Sequence, residues 1–127
     1  MIERSILIVD DEAHIRLLIE QALEELEDDG VEILTASDGA EGLESIKADR
    51  PKLVFLDIMM PEINGFDVCN IVKNELRLED SYVVLLTAKG QEYDRQRGEQ
   101  VGANQYITKP FDPDELLNLS REILGVQ

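Results

Sequence analysis

Five side chains of this sequence stand where β-rich runs end, and their types suit phosphoryl chemistry. Ile6-Leu7-Ile8-Val9 runs into Asp10-Asp11-Glu12, and Leu53-Val54-Phe55-Leu56 into Asp57. Val83-Val84-Leu85-Leu86 runs into Thr87-Ala88, and the run from Gln105 to Thr108 into Lys109-Pro110. Converging carboxylates repel one another unless a hard cation lies between them. Mg²⁺ suits this, because it binds one or two carboxylates, keeps waters and bridges to a phosphoryl group. Asp57, ending a buried strand, is then a nucleophile able to form an aspartyl-phosphate. Thr87 can donate a hydrogen bond to one phosphoryl oxygen, and Lys109 can neutralise another. The sequence has no Gly-rich phosphate loop, GxGxxG or Walker pattern. Taken singly, Asp10-Asp11 reads as an ordinary helix start, where acids favour the dipole. Asp57 reads as the start of a turn, and Lys-Pro carries no signal. The weight lies in their joint occurrence at four strand ends.

The elements that must position these groups follow from two alternating periodicities. Strands are expected at Ser5 to Val9, Val31 to Ala36, Leu53 to Leu56, Tyr82 to Leu86 and Gln105 to Thr108. Three of them are continuously apolar, as strands buried on both faces of a parallel sheet are. Helical stripes fill the gaps: Ile15, Leu18, Ile19, Ala22 and Leu26, then Ala40, Leu43 and Ile46, then Val68, Ile71, Val72 and Leu76. A last stripe comprises Leu116, Leu117, Leu119, Ile123 and Leu124. Asp38 and Asp112 are placed to cap helices, and Gly30 and Gly125 to end them. The βα unit repeated five times predicts an α/β, doubly wound (βα)5 fold, a five-stranded parallel sheet with helices on both faces. Ligands of such sheets bind beyond the carboxyl ends of the strands, where strand order reverses. Residues 1–127 read as a single domain. Gln91 to Gly102, the expected fourth helix, has only Tyr93 and Val101 as substantial apolar anchors. It is expected to be the least stable element, one that a switch can move.

Composition narrows the function. Acidic residues number 28 and basic residues 12, for a formal charge of −16 over 127 residues, which repels phosphate backbones and anionic lipid. The chain alone is therefore expected to bind no nucleic acid. A low-salt gel shift should show no retardation, and salt-sensitive binding would contradict the expectation. The single cysteine, Cys69, fits a reducing compartment, and the single histidine, His14, reads as a surface or boundary residue. No apolar run approaches the ~20 residues of a membrane span, and no secretory pattern follows Met1. The expectation is a cytoplasmic protein without membrane contact. The acidic stretch Glu24-Glu25-Leu26-Glu27-Asp28-Asp29 reads as a solvated helix end that opposes its dipole.

Together these residues resemble the receiver domain of a two-component response regulator of the chemotaxis-regulator type. The resemblance runs from Ser5 to Leu124. It is carried by Ile6 to Glu12, by Val54 to Pro61 with Asn64-Gly65, by Leu85-Leu86-Thr87-Ala88, by Gly102-Ala103, and by Tyr106 to Phe111. It implies a flavodoxin-like sheet of order 2-1-3-4-5, the order that the same kind of protein exemplifies among doubly wound folds. Asp57 would accept the phosphoryl group of a sensor histidine kinase or phosphotransfer protein. Asp11, Asp57 and the backbone carbonyl of Met59 would ligate Mg²⁺, with Asp10 acting mainly through a water. Thr87 and Lys109 would hold phosphoryl oxygens, and Tyr106 matches the switch aromatic. The Lys109-Pro110 bond would be cis. The domain would catalyse its own phosphorylation and dephosphorylation and pass a changed surface, on the fourth helix, fifth strand and fifth helix, to a downstream output protein or domain. A phosphorylation-dependent homodimer stays open. Asn104-Gln105 and Leu119 depart from the ion-pairing pattern of the winged-helix regulators that dimerise there.

Three rivals are weaker. An aspartyl-nucleophile phosphatase needs a general acid two residues after its nucleophile, where this chain has Met59. A flavodoxin-like electron carrier needs a hydroxyl-rich loop where Asp10-Asp11-Glu12 would repel the flavin phosphate. A degenerate receiver, a phosphorylation-independent interaction module, would be expected to have lost some of Asp10, Asp11, Asp57, Thr87 and Lys109.

Overall fold

A computed structural model of the chain describes residues 4–88 and 100–126. Strands β1 (Ser5–Val9), β2 (Glu32–Ala36), β3 (Leu53–Asp57), β4 (Tyr82–Ala88) and β5 (Gln105–Lys109) form one parallel sheet of order β2-β1-β3-β4-β5. Between them lie helices α1 (Ala13–Leu23), α2 (Gly39–Asp49) and α3 (Gly65–Asn70), and after them α4 (Pro113–Leu124). The alternation of side chains along the strands divides the core in two. Leu7, Val9, Val54, Leu56, Val83 and Leu85 meet α2 and α3 through Ile46, Phe66, Val68 and Cys69. Ile6, Ile8, Leu53, Phe55, Val84 and Leu86 meet α1 and α4 through Ile19, Leu23, Leu116 and Leu124. Strands apolar on both faces thus carry a layer of helices on each side, and each fully buried Leu or Ile contributes about 1.5–3 kcal/mol.

The caps form as the sequence indicates. The Asp38 carboxylate accepts from the Glu41 N–H at 2.7 Å, and that of Asp112 from the Asp114 N–H at 2.9 Å with Pro113 beside it. Gly30 (φ 83°) and Gly125 (φ 71°) end their helical turns in the left-handed region.

Three stripes need correction. Ala40 is exposed, and α2 buries Gly39, Gly42 and Ile46 instead. Leu18 is 50% exposed, and Leu23 takes its place in the core. The face of α1 that meets the sheet runs through Ile15, Ile19 and Leu23, spaced by four, and Leu18 lies on its flank. After Asn70 the third helix widens into a π turn, Ile71–Glu75, in which the Leu76 N–H reaches the Ile71 carbonyl at 2.7 Å. The extra residue in that turn shifts the phase, so Val72 is buried while Leu76 is 40% exposed. Of the expected fourth helix, only Gln100 to Gly102 lie within the described residues, Gln100 and Val101 being helical.

Candidate functional site

The carboxyl edge of the sheet assembles the site. Asp10 follows β1 directly, and its N–H still reaches the Ala36 carbonyl of β2 at 3.2 Å, so the strand ladder fixes its backbone. Its side chain is fully buried. One carboxylate oxygen accepts the Glu12 N–H at 2.9 Å, and the other lies 3.2 Å from the Lys109 ammonium. Asp57 is the last residue of β3 and 4% exposed. Its Oδ1 accepts from Lys109 Nζ at 3.1 Å and from the Met59 N–H at 3.3 Å. Asp11 is exposed at the rim. One carboxylate oxygen from each of Asp10, Asp11 and Asp57 lies within 4.8 Å of the others.

Lys109 ends β5, two strands away from Asp57, and the Lys109-Pro110 bond after it is cis. Thr87 is buried on β4, one residue beyond Leu86, the residue paired with Asp57. Tyr106 pairs with Leu85, two before Thr87, so Tyr106 and Thr87 share a face of the sheet. Tyr106 packs half-buried against the α2–α3 side of the core. Met59, whose N–H meets Asp57, is 63% exposed. The edge therefore gathers Asp10, Asp11, Asp57 and Lys109 directly, with Thr87 and Met59 adjoining and Tyr106 behind Thr87.

Two features of the site escaped the sequence reading. Arg16, one turn into α1, donates from Nη1 to the Asp10 carbonyl at 2.7 Å and pins the loop that holds the first carboxylate. The signal was a cation six residues after Asp10, too common to notice. Gly39 and Gly65 are needed for space. A Cβ on Gly65 would run into the Asp57 carbonyl oxygen, and one on Gly39 into that of Ile63.

The electrostatics leave the site short of positive charge. Burial raises the Asp57 carboxyl, the Asp10 charge raises it further, and Lys109 offsets only part, so it titrates at about 6 rather than 3.8. Burial alone would lower Lys109, but Asp57 and Asp10 outweigh it and hold the ammonium above the usual lysine value. Asp57 rises chiefly through its burial, and Lys109 because its one ammonium serves two buried carboxylates. A carboxyl raised in the fold stabilises the protein below its unfolded value near 3.8, and that contribution is lost as the pH rises through about 6. Asp57→Asn should therefore be the more stable protein at pH ~7.5 without divalent cation, by about 2 kcal/mol. The advantage should shrink to nothing by pH ~4. Thermal melts in chelator across that range check it, and a variant less stable at neutral pH contradicts it.

An all-oxygen donor set with excess negative charge fits a hard divalent cation better than a soft one. The comparisons agree with the chemistry. The profile of the response regulator receiver domain matches residues 6–121. The chain belongs to the response regulator receiver domain family. Its receiver fold is shared with the chemotaxis response regulator CheY4 of Vibrio cholerae, at a TM-score of 0.81 and 30% identity over 95% of this chain and 98% of that one. The BeF3-activated DrrB receiver domain superposes at 0.83 with 30% identity, covering 96% of this chain and 97% of that one. Protein PilG of Pseudomonas aeruginosa is 36% identical over 88% of this chain and 81% of its own. The "Probable transcriptional regulator ycf27" of Porphyra purpurea is 41% identical over 96% of this chain but 48% of its own. The chain thus spans about half the length of several curated relatives it matches. Receiver domains of two-component response regulators are phosphorylatable on an aspartate. Receivers bind Mg²⁺ at an acidic cluster of this kind and work with histidine kinases or phosphotransfer proteins and with output domains. Among the described residues no helix is long and apolar enough to cross a membrane.

Proposed function

We propose that Asp57 is the phosphoryl acceptor of this receiver and that residues 1–127 act as one such domain. The observation that carries the assignment is Asp57 itself. It is a buried carboxylate at a strand end, within 4.8 Å of two others and bonded to the Lys109 ammonium at 3.1 Å. Asp11, Asp57 and the Met59 carbonyl would hold Mg²⁺ directly, and Asp10 through a water. When bound, the cation would supply charge neutralisation between acceptor and phosphoryl donor. The chain's own residues do the rest. The β3 terminus positions Asp57, and the Met59 N–H and Lys109 hold its Oδ1. Lys109 moves its ammonium from carboxylate to phosphoryl oxygen, and the Thr87 hydroxyl donates to another. Asp57 Oδ attacks phosphorus as the bond to the donor nitrogen breaks, and the donor imidazole leaves with a proton.

A phosphoryl group adds roughly two negative charges at the strand ends. Thr87 is drawn toward it, and Tyr106, on the same sheet face, follows into the space vacated. The changed surface then meets an output partner. Curated relatives include transcriptional regulators that extend beyond the matched region, so an attached output domain and a phosphorylation-dependent homodimer both accord with this reading. It places the domain in the cytoplasm, with no nucleic acid bound by the receiver itself. Peptide mapping after incubation with acetyl phosphate and Mg²⁺ tests the acceptor, and a label that maps away from Asp57 refutes it.

Phosphoryl lifetime should be long. Met59 is apolar and exposed two residues after the acceptor, and can neither orient nor deprotonate a water. Met59→Asn should lose its label at least about threefold faster, read from the decay of labelled protein. An unchanged or slower decay would show that Met59 shields nothing.

A further inference from the structure

Among the described residues are two neighbouring methionines in opposite environments. Met59 is 63% exposed and Met60 is 8% exposed. The Met59 N–H donates to Asp57 Oδ1 at 3.3 Å, so its thioether branches from the residue whose main chain contacts the acceptor. The free thiol, Cys69, is fully buried, and burial pushes it up to about 11, which keeps it a thiol and a poor target for peroxide. Among the described residues, the sulfur best presented to an oxidant is therefore the one beside the phosphorylation site. Resting on Asp57 as the acceptor, we propose that Met59 is a peroxide-reactive modification site whose conversion to the sulfoxide shortens the life of the phosphoryl group.

The chemistry balances with hydrogen peroxide as co-reactant. A sulfur lone pair of Met59 attacks one peroxide oxygen, an S–O bond forms and the O–O bond breaks. The departing hydroxide takes up the proton of the transferred OH and leaves as water. Sulfur loses two electrons and peroxide gains them. The product is a polar sulfoxide in place of an apolar thioether, and methionine sulfoxide reductases reverse the change. Its oxygen is a strong acceptor at the mouth of the site. There it can take a hydrogen bond from a water aimed at phosphorus, a positioning role the thioether fills poorly. That water forms the new P–O bond, the bond to Asp57 Oδ breaks, inorganic phosphate departs and the water's proton passes to solvent. The carboxylate is restored. Oxidation thus does chemically what a polar residue at this position would do genetically.

The experiment compares the intact chain with and without a brief peroxide treatment quenched by catalase. Fragment masses should place a ~16 Da gain on Met59 at least about tenfold ahead of Met60. After labelling with acetyl phosphate and Mg²⁺, the oxidised protein should lose its phosphoryl group at least about threefold faster than the untreated one. The two methionine sulfoxide reductases together, one for each sulfoxide epimer, should return the slower rate. In Met59→Leu, which keeps bulk and loses the thioether, peroxide should leave the variant's own decay rate unchanged. Oxidation of Met60 as fast as Met59, or oxidised wild type that decays no faster than untreated, overturns the proposal. So does a peroxide effect that persists in Met59→Leu. An untreated protein that takes no label at Asp57 overturns the acceptor assignment and this proposal with it. A protein labelled at Asp57 whose decay ignores Met59 oxidation overturns the proposal alone.

Discussion

Asp57→Asn is expected to abolish the Mg²⁺-dependent phosphoryl adduct. Incubated with acetyl phosphate and Mg²⁺, the wild-type chain should gain ~80 Da in intact mass, and the variant should gain nothing measurable. The loss should be near-total because the amide is not a competent nucleophile toward phosphorus. A purely structural effect is separable, since the variant is expected to be folded and, in chelator at neutral pH, more stable than wild type. The cation requirement follows from the same geometry. Asp10, Asp11 and Asp57 bring oxygens within 4.8 Å of one another, and among the described residues Lys109 is the one ammonium bonded to Asp10 and Asp57. An incoming phosphoryl group adds negative charge to a site already short of positive charge. Chelation should therefore suppress labelling as thoroughly as Asp57→Asn does. Equal labelling in chelator would refute the metal reading while leaving the acceptor intact, and a variant that still gains the adduct would refute the acceptor.

The sequence is most legible where apolar runs meet chemistry. Ile6 to Val9, Leu53 to Leu56 and Val83 to Leu86 are buried without exception. Runs of that kind leave few registers, so the polar residue ending each is carried to the same edge. This is why Asp10, Asp57 and Thr87 can be grouped from the sequence alone, whereas Lys109 ends a half-buried strand and joins them through the repeated βα order. Features that depend on the phase of a helix were harder to read. Leu18 and Leu23 are equally apolar, and only the packing of α1 against the sheet decides that Leu23 is buried. The π turn at Ile71–Glu75 adds a residue that no 3.6-residue period anticipates. Individual side-chain contacts between helices and loops were not legible. The acidic turn Glu24–Asp29 opposes its helix dipole, and its compensation comes from α4. There Arg121 reaches Glu25 at 2.9 Å and Asp29 at 3.6 Å. Arg16 on the Asp10 carbonyl is of the same kind, since a side chain reaching a main-chain oxygen has no sequence pattern.

Gly65→Ala should be strongly damaging, against what helix propensity expects. Gly65 begins α3, with Asn64 as its cap accepting the Asp67 N–H at 3.0 Å. Its φ is not among the positive ones, so alanine fits the backbone conformation, and propensity alone favours alanine by ~0.5–1 kcal/mol. Space decides otherwise. The added Cβ would overlap the Asp57 carbonyl oxygen and lie 2.9 Å from the Asp57 carbonyl carbon and the Ile58 Cα. All three are backbone atoms of the Asp57–Ile58 segment, which no rotamer change can clear. That segment is held from the other side by the Ile58 N–H on the Leu86 carbonyl at 3.2 Å. Relief must therefore come from moving α3 or the end of β3. Overpacking of this kind costs about 2–4 kcal/mol, lowering Tm by roughly 10 °C. A shift of the Asp57 backbone by a fraction of an ångström should also slow labelling by acetyl phosphate about tenfold or more. Gly125→Ala supplies the contrast. Its φ of 71° strains alanine, but nothing lies within 4 Å of the new methyl, so it should cost only about 1 kcal/mol and leave labelling unchanged. If Gly65→Ala melts at or above the wild-type temperature, propensity has won and the close approach of α3 to the acceptor strand is not what the fold depends on. If it is destabilised but labels at the wild-type rate, the strain is absorbed by α3, and the Asp57 backbone is held more firmly than the approach of Gly65 implies.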